Sequence, residues 1–254
     1  MIKHLLWLLF FIPLTVFADN KGAKVITLGI EDINYFPHYD ARFDEKRGYI
    51  FELLAMFEKQ ANVKFQIVAL PTKRLNRRFF KDRDLDLIYP FNPGWVSPET
   101  DKTSLMFSAP IVQILGGTMV KTENRNMELS EFSVLAVPLG FTPIEWYKLK
   151  DQYEFQILEV ANAWDALQMV MLGRADGADI EFNVARALLN KYKKSDALDL
   201  GQKLPFSSIH FFMATYNQHF LLTKFDTFMR DNHQAIEALK QKYQLQEQMP
   251  SDLN

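Results

Sequence analysis

The chain has 254 residues, 29 of them Lys or Arg and 31 Asp or Glu, for a formal net charge of −2. So even a balance gives no electrostatic ground for a nucleic-acid or anionic-membrane partner. Cysteine is absent, which excludes disulfides and thiolate metal sites, and 22 Phe point to an aromatic-rich interior.

Lys3 and His4 precede an apolar run, Leu5 to Phe17, which ends at the small-residue site Val16-Phe17-Ala18. This pattern predicts a secretory signal peptide cleaved after Ala18. The run is shorter than the roughly 20 apolar residues of a membrane span, and Pro13 breaks it. With no Cys to carry a lipid, the mature chain is expected to be free and soluble.

Lys24 to Ile30 reads as a first strand, and a turn-rich segment from Asn34 to Asp40 follows. Gly48 leads into a helix with a broad apolar face (Phe51, Leu53, Leu54, Phe57). Val63 to Leu70 is the next strand, Pro71 opens a basic helix, and Leu85 to Tyr89 is a third strand. The order β-α-β-α-β implies a parallel sheet with right-handed crossovers. After the polar loop Asn92 to Thr103, Ile114 to Lys121 is extended, and Ser133 to Pro138 begins a second β-α-β series. Thr142-Pro143-Ile144-Glu145 reads as a capping box, with Thr142 at the N-cap. Tyr153 to Val160 is a strand and Ala161 to Leu172 a helix, stopped by Gly173. Asp176 to Ile180 is a strand, with Glu181 at its carboxyl end and Asn183 as the N-cap of a helix to Tyr192. Ile209 to Tyr216 is extended, and Leu221 to Tyr243 reads as one long helix with Phe225, Phe228, Ile236 and Leu239 on one side.

In open α/β sheets ligands bind beyond the carboxyl ends of the strands, which makes Glu181 a candidate binding acid. The alternative is a helix-start acid stabilised by the dipole. Thr142 opens a helix end that either starts the helix alone or also faces an anion. Arg74, Arg77 and Arg78 share a helix face, solvated by default. Trp95, with Phe91 and Asn92, stands near the expected cleft, as a stacking platform or as packing for its loop. The His residues show no metal-ligand spacing, Ser108 has no nucleophile-elbow context, and there is no Gly-rich phosphate loop, so neither metal nor cofactor is expected.

Five motifs stand in order: Gly48-Tyr49-Ile50-Phe51-Glu52-Leu53, Asp86-Leu87-Ile88, Phe107-Ser108-Ala109-Pro110, Gly140-Phe141-Thr142, and Gly173-Arg174-Ala175-Asp176 with Glu181 five residues on. In these the chain resembles the family 3 solute-binding proteins of bacterial ABC transporters. The resemblance implies the α/β, two-lobed type II periplasmic binding fold, each lobe a mostly parallel sheet flanked by helices. Lobe 1 is then 19–117 plus 213–254, and lobe 2 is 118–212. It also implies a periplasmic monomer that closes on a small-molecule ligand and serves a membrane permease, or equally a sensor. In that family a first-loop aromatic stacks on the ligand, an Arg after Thr-Pro-Glu clamps its carboxylate, and a second-lobe acid takes its amine. Carried over, the aromatic is Tyr39 or Tyr35 and the acid is Glu181. The Arg is absent: Ser97-Pro98-Glu99 is followed by Thr100. Arg74 is the first substitute for it and Lys102 the second. The competing expectation is an enzyme on the same scaffold, similar to cyclohexadienyl dehydratase, with Glu181 as acid or base and no second catalytic group identifiable.

Overall fold

The structure is a computed structural model and describes residues 22–248. The signal peptide expected at 1–18 lies outside them. The first half opens with β1 (Lys24–Glu31), the short antiparallel ribbon β2 (Asn34–Tyr35) and β3 (Tyr39–Asp40), and α1 (Tyr49–Ala61). It continues with β4 (Val63–Leu70), α2 (Thr72–Arg77), a π-helical turn over Arg78–Asp82, β5 (Leu87–Phe91) and β6 (Met106–Phe107). The connecting strand β7 (Val112–Lys121) leads to β8 (Val134–Pro138), α3 (Ile144–Tyr147), β9 (Gln156–Val160), α4 (Ala163–Met171), β10 (Gly177–Glu181), α5 (Phe182–Lys191) and β11 (Leu198–Leu200). The chain returns through β12 (Phe206–Thr215) to α6 (His219–Asp231) and α7 (His233–Lys242).

The strands follow one path, β4-β1-β5-β12-β7-β10-β8-β9. β4, β1 and β5 are parallel, as are β9, β8 and β10, which is the outcome of strand–helix–strand crossovers in each half. β12 joins the halves. Its outer residues Phe212 and Ala214 pair with β5, whereas Phe206 to Phe211 run antiparallel to β7. The register with β5 shifts between Phe212 and Ala214.

Helix α1 buries Tyr49, Ile50, Leu53, Leu54 and Phe57, and the Phe57 ring meets Phe225 and Phe228 of α6 at 5.1 and 5.3 Å. Gly48 enters this helix at φ 118, where a Cβ would stand 2.7 Å from the Tyr39 Cα and 2.8 Å from the His38 carbonyl oxygen. Only glycine fits both the dihedral and the space. In the second half Trp146 is buried against Phe132, ring centroids 4.3 Å apart, and its Nε1 donates to Thr118 Oγ1 at 3.0 Å. At the end of α4, Gly173 (φ 69) lets Arg174 N–H reach the Met169 carbonyl, the expected left-handed stop. Among the described residues no helix is long and apolar enough to cross a membrane.

Three expected helix boundaries are corrected. The C-terminal helix is two helices, because Asn232 turns its side chain back onto the Phe228 carbonyl (2.9 Å), offering the backbone an alternative to another helical turn. The Thr142 capping box does not form. Pro143 sits at φ −77 and ψ 77, an inverse γ-turn in which Ile144 N–H bonds the Thr142 carbonyl, so the single-turn α3 starts without a side-chain cap. Asn183 is not the cap of α5 either; Glu181 is.

Candidate functional site

A cleft of about 920 Å³ opens between the two halves. The first half contributes the ends of β1, β2 and β5, the start of α2, and Trp95. The second half contributes the turn after β8, the starts of α3 and α4, β10 and the end of α5. The carboxyl ends of parallel strands from both halves therefore point into one space, as expected for open α/β sheets.

Its walls are aromatic. Tyr35 of β2 stacks with Phe141 from the turn after β8, ring centroids 6.0 Å apart and planes 16° from parallel, so this pair spans the two halves. Phe211, on β12 where the halves meet, lies about equally close to Tyr35, Tyr89 and Trp95 at 6.0, 6.1 and 6.0 Å. Trp164 and Tyr192 stack at 3.9 Å on the far side.

Glu181 lines the cleft, yet its carboxylate is fully engaged. Oε2 accepts the Val184 N–H at 2.8 Å, which caps α5, and lies 3.1 Å from His38 Nε2, an ion-pair approach whose N–H is not aligned as a hydrogen bond. Oε1 accepts from Asn183 Nδ2 at 2.8 Å and from the Leu115 N–H at 3.4 Å. Burial alone would raise this carboxyl, but His38 and the amide donors bring it below the usual glutamate value. Asn183 in turn holds the Gln246 backbone at both N–H and C=O, tying α5 to the segment after α7.

Two residues back on the same strand face, Asp179 is in the opposite condition. It lines the cleft and, among the described residues, its side chain has no hydrogen-bond or ion-pair partner. Burial pushes its carboxyl up to about 7, and the nearby Glu145 charge adds to the rise. On the opposite wall Glu31 accepts hydrogen bonds from Tyr39 and Thr72 hydroxyls, each at 2.8 Å, and burial holds its carboxyl above the usual value despite both donors. Among the described residues the Tyr35 hydroxyl has no hydrogen-bond partner. Burial, followed by the charges of Glu181, Glu31 and Asp179, keeps it protonated well past its ordinary value, so it remains a donor.

Of the residues singled out from sequence, Tyr35, Tyr39, Phe91, Trp95, Thr142 and Glu181 line the cleft. Arg74, Asn92 and Thr100 do not. Arg74 is exposed on α2, which turns Thr72, Leu75 and Asn76 to the cleft instead. Asn92 closes its own turn, accepting from Gly94 N–H at 2.8 Å and donating to the His210 carbonyl at 2.8 Å. Thr100 is half-buried in the mostly exposed loop beyond Trp95, and Lys102 there is exposed and likewise absent from the cleft lining. Sequence reasoning missed Glu31, Asp179, Phe141 and Phe211. For Asp179 a signal existed: residues two apart on a strand share a face, so whatever Glu181 faces, Asp179 faces too.

No family model matches the chain, and no curated protein matches it. Solved structures do. A substrate-binding protein of an amino acid ABC transporter superposes with a TM-score of 0.65 at 19% identity, covering 86% of this chain and 98% of its own. The arginine-, lysine-, histidine-binding protein ArtJ of Geobacillus stearothermophilus gives 0.66 at 16% identity, covering 91% and 99%. An ancestral amino acid-binding protein, a precursor of cyclohexadienyl dehydratase, gives 0.64 at 18% identity, covering 86% and 94%. The chain has the type II periplasmic binding fold. The cleft is where both sets of strand ends meet, and β12 joins the two halves by pairing with both β5 and β7. Among the described residues no cluster of His, Asp or Glu is arranged to hold a metal ion.

Proposed function

We propose that this chain is a periplasmic solute-binding protein that traps a small polar solute between its lobes and presents the closed form to a membrane permease or sensor. Lobe 1 comprises 19–117 with 213–254, lobe 2 comprises 118–212, and the hinge lies in β7 and β12. The observation that carries this reading is the cleft itself: stacking rings from both lobes surround polar groups that have no internal partner. Such a surface is built to be completed by a guest. Solved structures of similar fold whose names state amino acid binding support the same reading. The test is calorimetric titration of the mature protein with a panel of amino acids, amines, carboxylates and sugars. One-to-one binding with the solute recovered unchanged supports it, and silence across the panel refutes it.

One observation favours a second reading, an enzyme on this scaffold. A carboxyl titrating near neutrality in a shielded cleft is what acid–base catalysis requires, and Asp179 is such a group, with Glu31 elsewhere in the same lining. Conversion of the bound solute, abolished in Asp179→Asn, would establish this reading instead.

A further inference from the structure

The polar equipment of the cleft is lopsided. Asp179 and Glu31 are half-buried in its walls, and among the described residues Asp179 has no hydrogen-bond or ion-pair partner. The two cations that reach the lining are otherwise occupied or peripheral. Arg42 directs its Nε and Nη2 to the Asp40 carboxylate at 2.9 and 3.0 Å, a carboxylate it shares with Arg47, which leaves its Nη1 end free. Lys191 is exposed at the end of α5, with its ammonium 5.3 Å over the Tyr192 ring. At the bend around Trp95 the backbone donors are spent as well, Gly94 N–H on Asn92 Oδ1 and Trp95 N–H on the Asn92 carbonyl. A carboxylate carried into this cleft would be desolvated beside two half-buried acids with only the shared Arg42 and the exposed Lys191 to receive it, whereas an ammonium or guanidinium would find an unpaired acid and aromatic faces.

Resting on the binding-protein reading above, we propose that the solute is a small organic cation without a carboxylate, such as an alkyl diamine or a guanidino amine. Asp179 is its counter-ion, and Tyr35, Phe141 and Trp95 form its aromatic wall. The assignment moves the ligand-pairing acid from Glu181, which the fold already uses, to the residue two positions earlier on the same face.

Two pairs of solutes that differ only by a carboxylate decide the matter on the unmodified chain. Cadaverine is set against lysine, and agmatine against arginine, by calorimetric titration of the mature protein. In each pair the amine binds at least about tenfold more tightly. Asp179→Asn weakens amine binding about thirtyfold or more, while melting no lower than the parent protein without ligand. Lysine or arginine binding as tightly as its decarboxylated partner overturns the proposal, as does an Asn variant with unchanged amine affinity. If some other carboxylate-bearing solute binds one-to-one and the amines do not, the binding-protein reading stands and this inference falls. If nothing in the wider panel binds, both fall.

Discussion

Replacing Glu181 by Ala tests whether this acid belongs to the framework. Its side chain and that of His38 are 1% and 0% exposed, so water replaces none of what is removed. The substitution deletes the side-chain cap of α5, a loss of about 1 kcal/mol. It also leaves the buried His38 ring without the carboxylate beside its Nε2 and Leu115 N–H without its side-chain acceptor. Leaving a buried polar group unsatisfied costs about 1–3 kcal/mol, and because the cap is part of the same cluster the losses are not simply summed. The expected destabilisation is therefore about 2–4 kcal/mol, or roughly 4–16 °C in melting temperature for a chain of this size. Urea unfolding at pH 7 measures it, with an unchanged m-value as evidence that two-state behaviour persists. The pH dependence has a definite sign. The folded carboxyl lies below its unfolded value, so its contribution is present above the usual glutamate range and disappears as pH falls through the folded value. The Ala variant should accordingly lose less stability than the parent between about pH 5 and pH 3. A variant within about 0.5 kcal/mol of the parent at pH 7 would refute the reasoning and return Glu181 to the pool of ligand-binding acids.

Asp179 titrates in the opposite sense: with the folded carboxyl at about 7 and the unfolded one near 3.8, unliganded stability falls as pH rises between those values. Asp179→Asn should therefore stabilise the ligand-free protein at pH 8 by roughly 2–4 kcal/mol and leave it nearly unchanged at pH 3.5, as read by urea unfolding at the two pH values. If the solute is a cation, its binding to the parent must expel a proton below about pH 7, so affinity should rise by up to about tenfold per pH unit and level off above that range. Glu145 of α3 and Tyr35 of β2 face the same group; a flat profile from pH 5 to 8 would exclude Asp179 as the paired acid. Gly48→Ala places a Cβ into the Tyr39 and His38 backbone at φ 118 and should cost more than about 1 kcal/mol by the same assay. Thr142→Ala removes no cap and should stay within about 0.5 kcal/mol of the parent. Arg74→Ala should leave solute affinity unchanged in calorimetric titration, since Arg74 stands outside the cleft.

The order of elements was legible because each is announced locally. Alternating and 3.6-residue apolar patterns separate strands from helices, and Gly48 and Gly173 mark boundaries where positive φ is required. Helix ends were less legible where a side chain competes with the backbone. Asn232 reads as an ordinary polar position until its amide is seen to fold back onto Phe228. Thr142-Pro143-Ile144-Glu145 has the letters of a capping box, but a γ-turn at Pro143 consumes the donor geometry the box needs. In the cleft, sequence reasoning could name the loop aromatics and the strand-end acid. It could not show which acid is already satisfied, because that depends on His38 and Leu115, both remote from Glu181 in the chain.

Strand β10 carries two acids on one face, and their environments assign them different tasks. Glu181 lies beside the strands that cross between lobes, and it caps a helix, holds a buried histidine and orients Asn183 toward the segment after α7. An amine drawn to it would have to displace these partners. Asp179 opposes the fold: an unpaired, desolvated carboxyl lowers stability at neutral pH and contributes no internal bond in return. A residue that costs the empty protein stability and faces the aromatic cleft is explained by what it does when the cleft is full. The direct measure is the difference between the Asp179→Asn variant and its parent. The variant should be the more stable without solute, and saturating cadaverine should shrink that advantage by about 2 kcal/mol, the thirtyfold loss of affinity expressed as free energy.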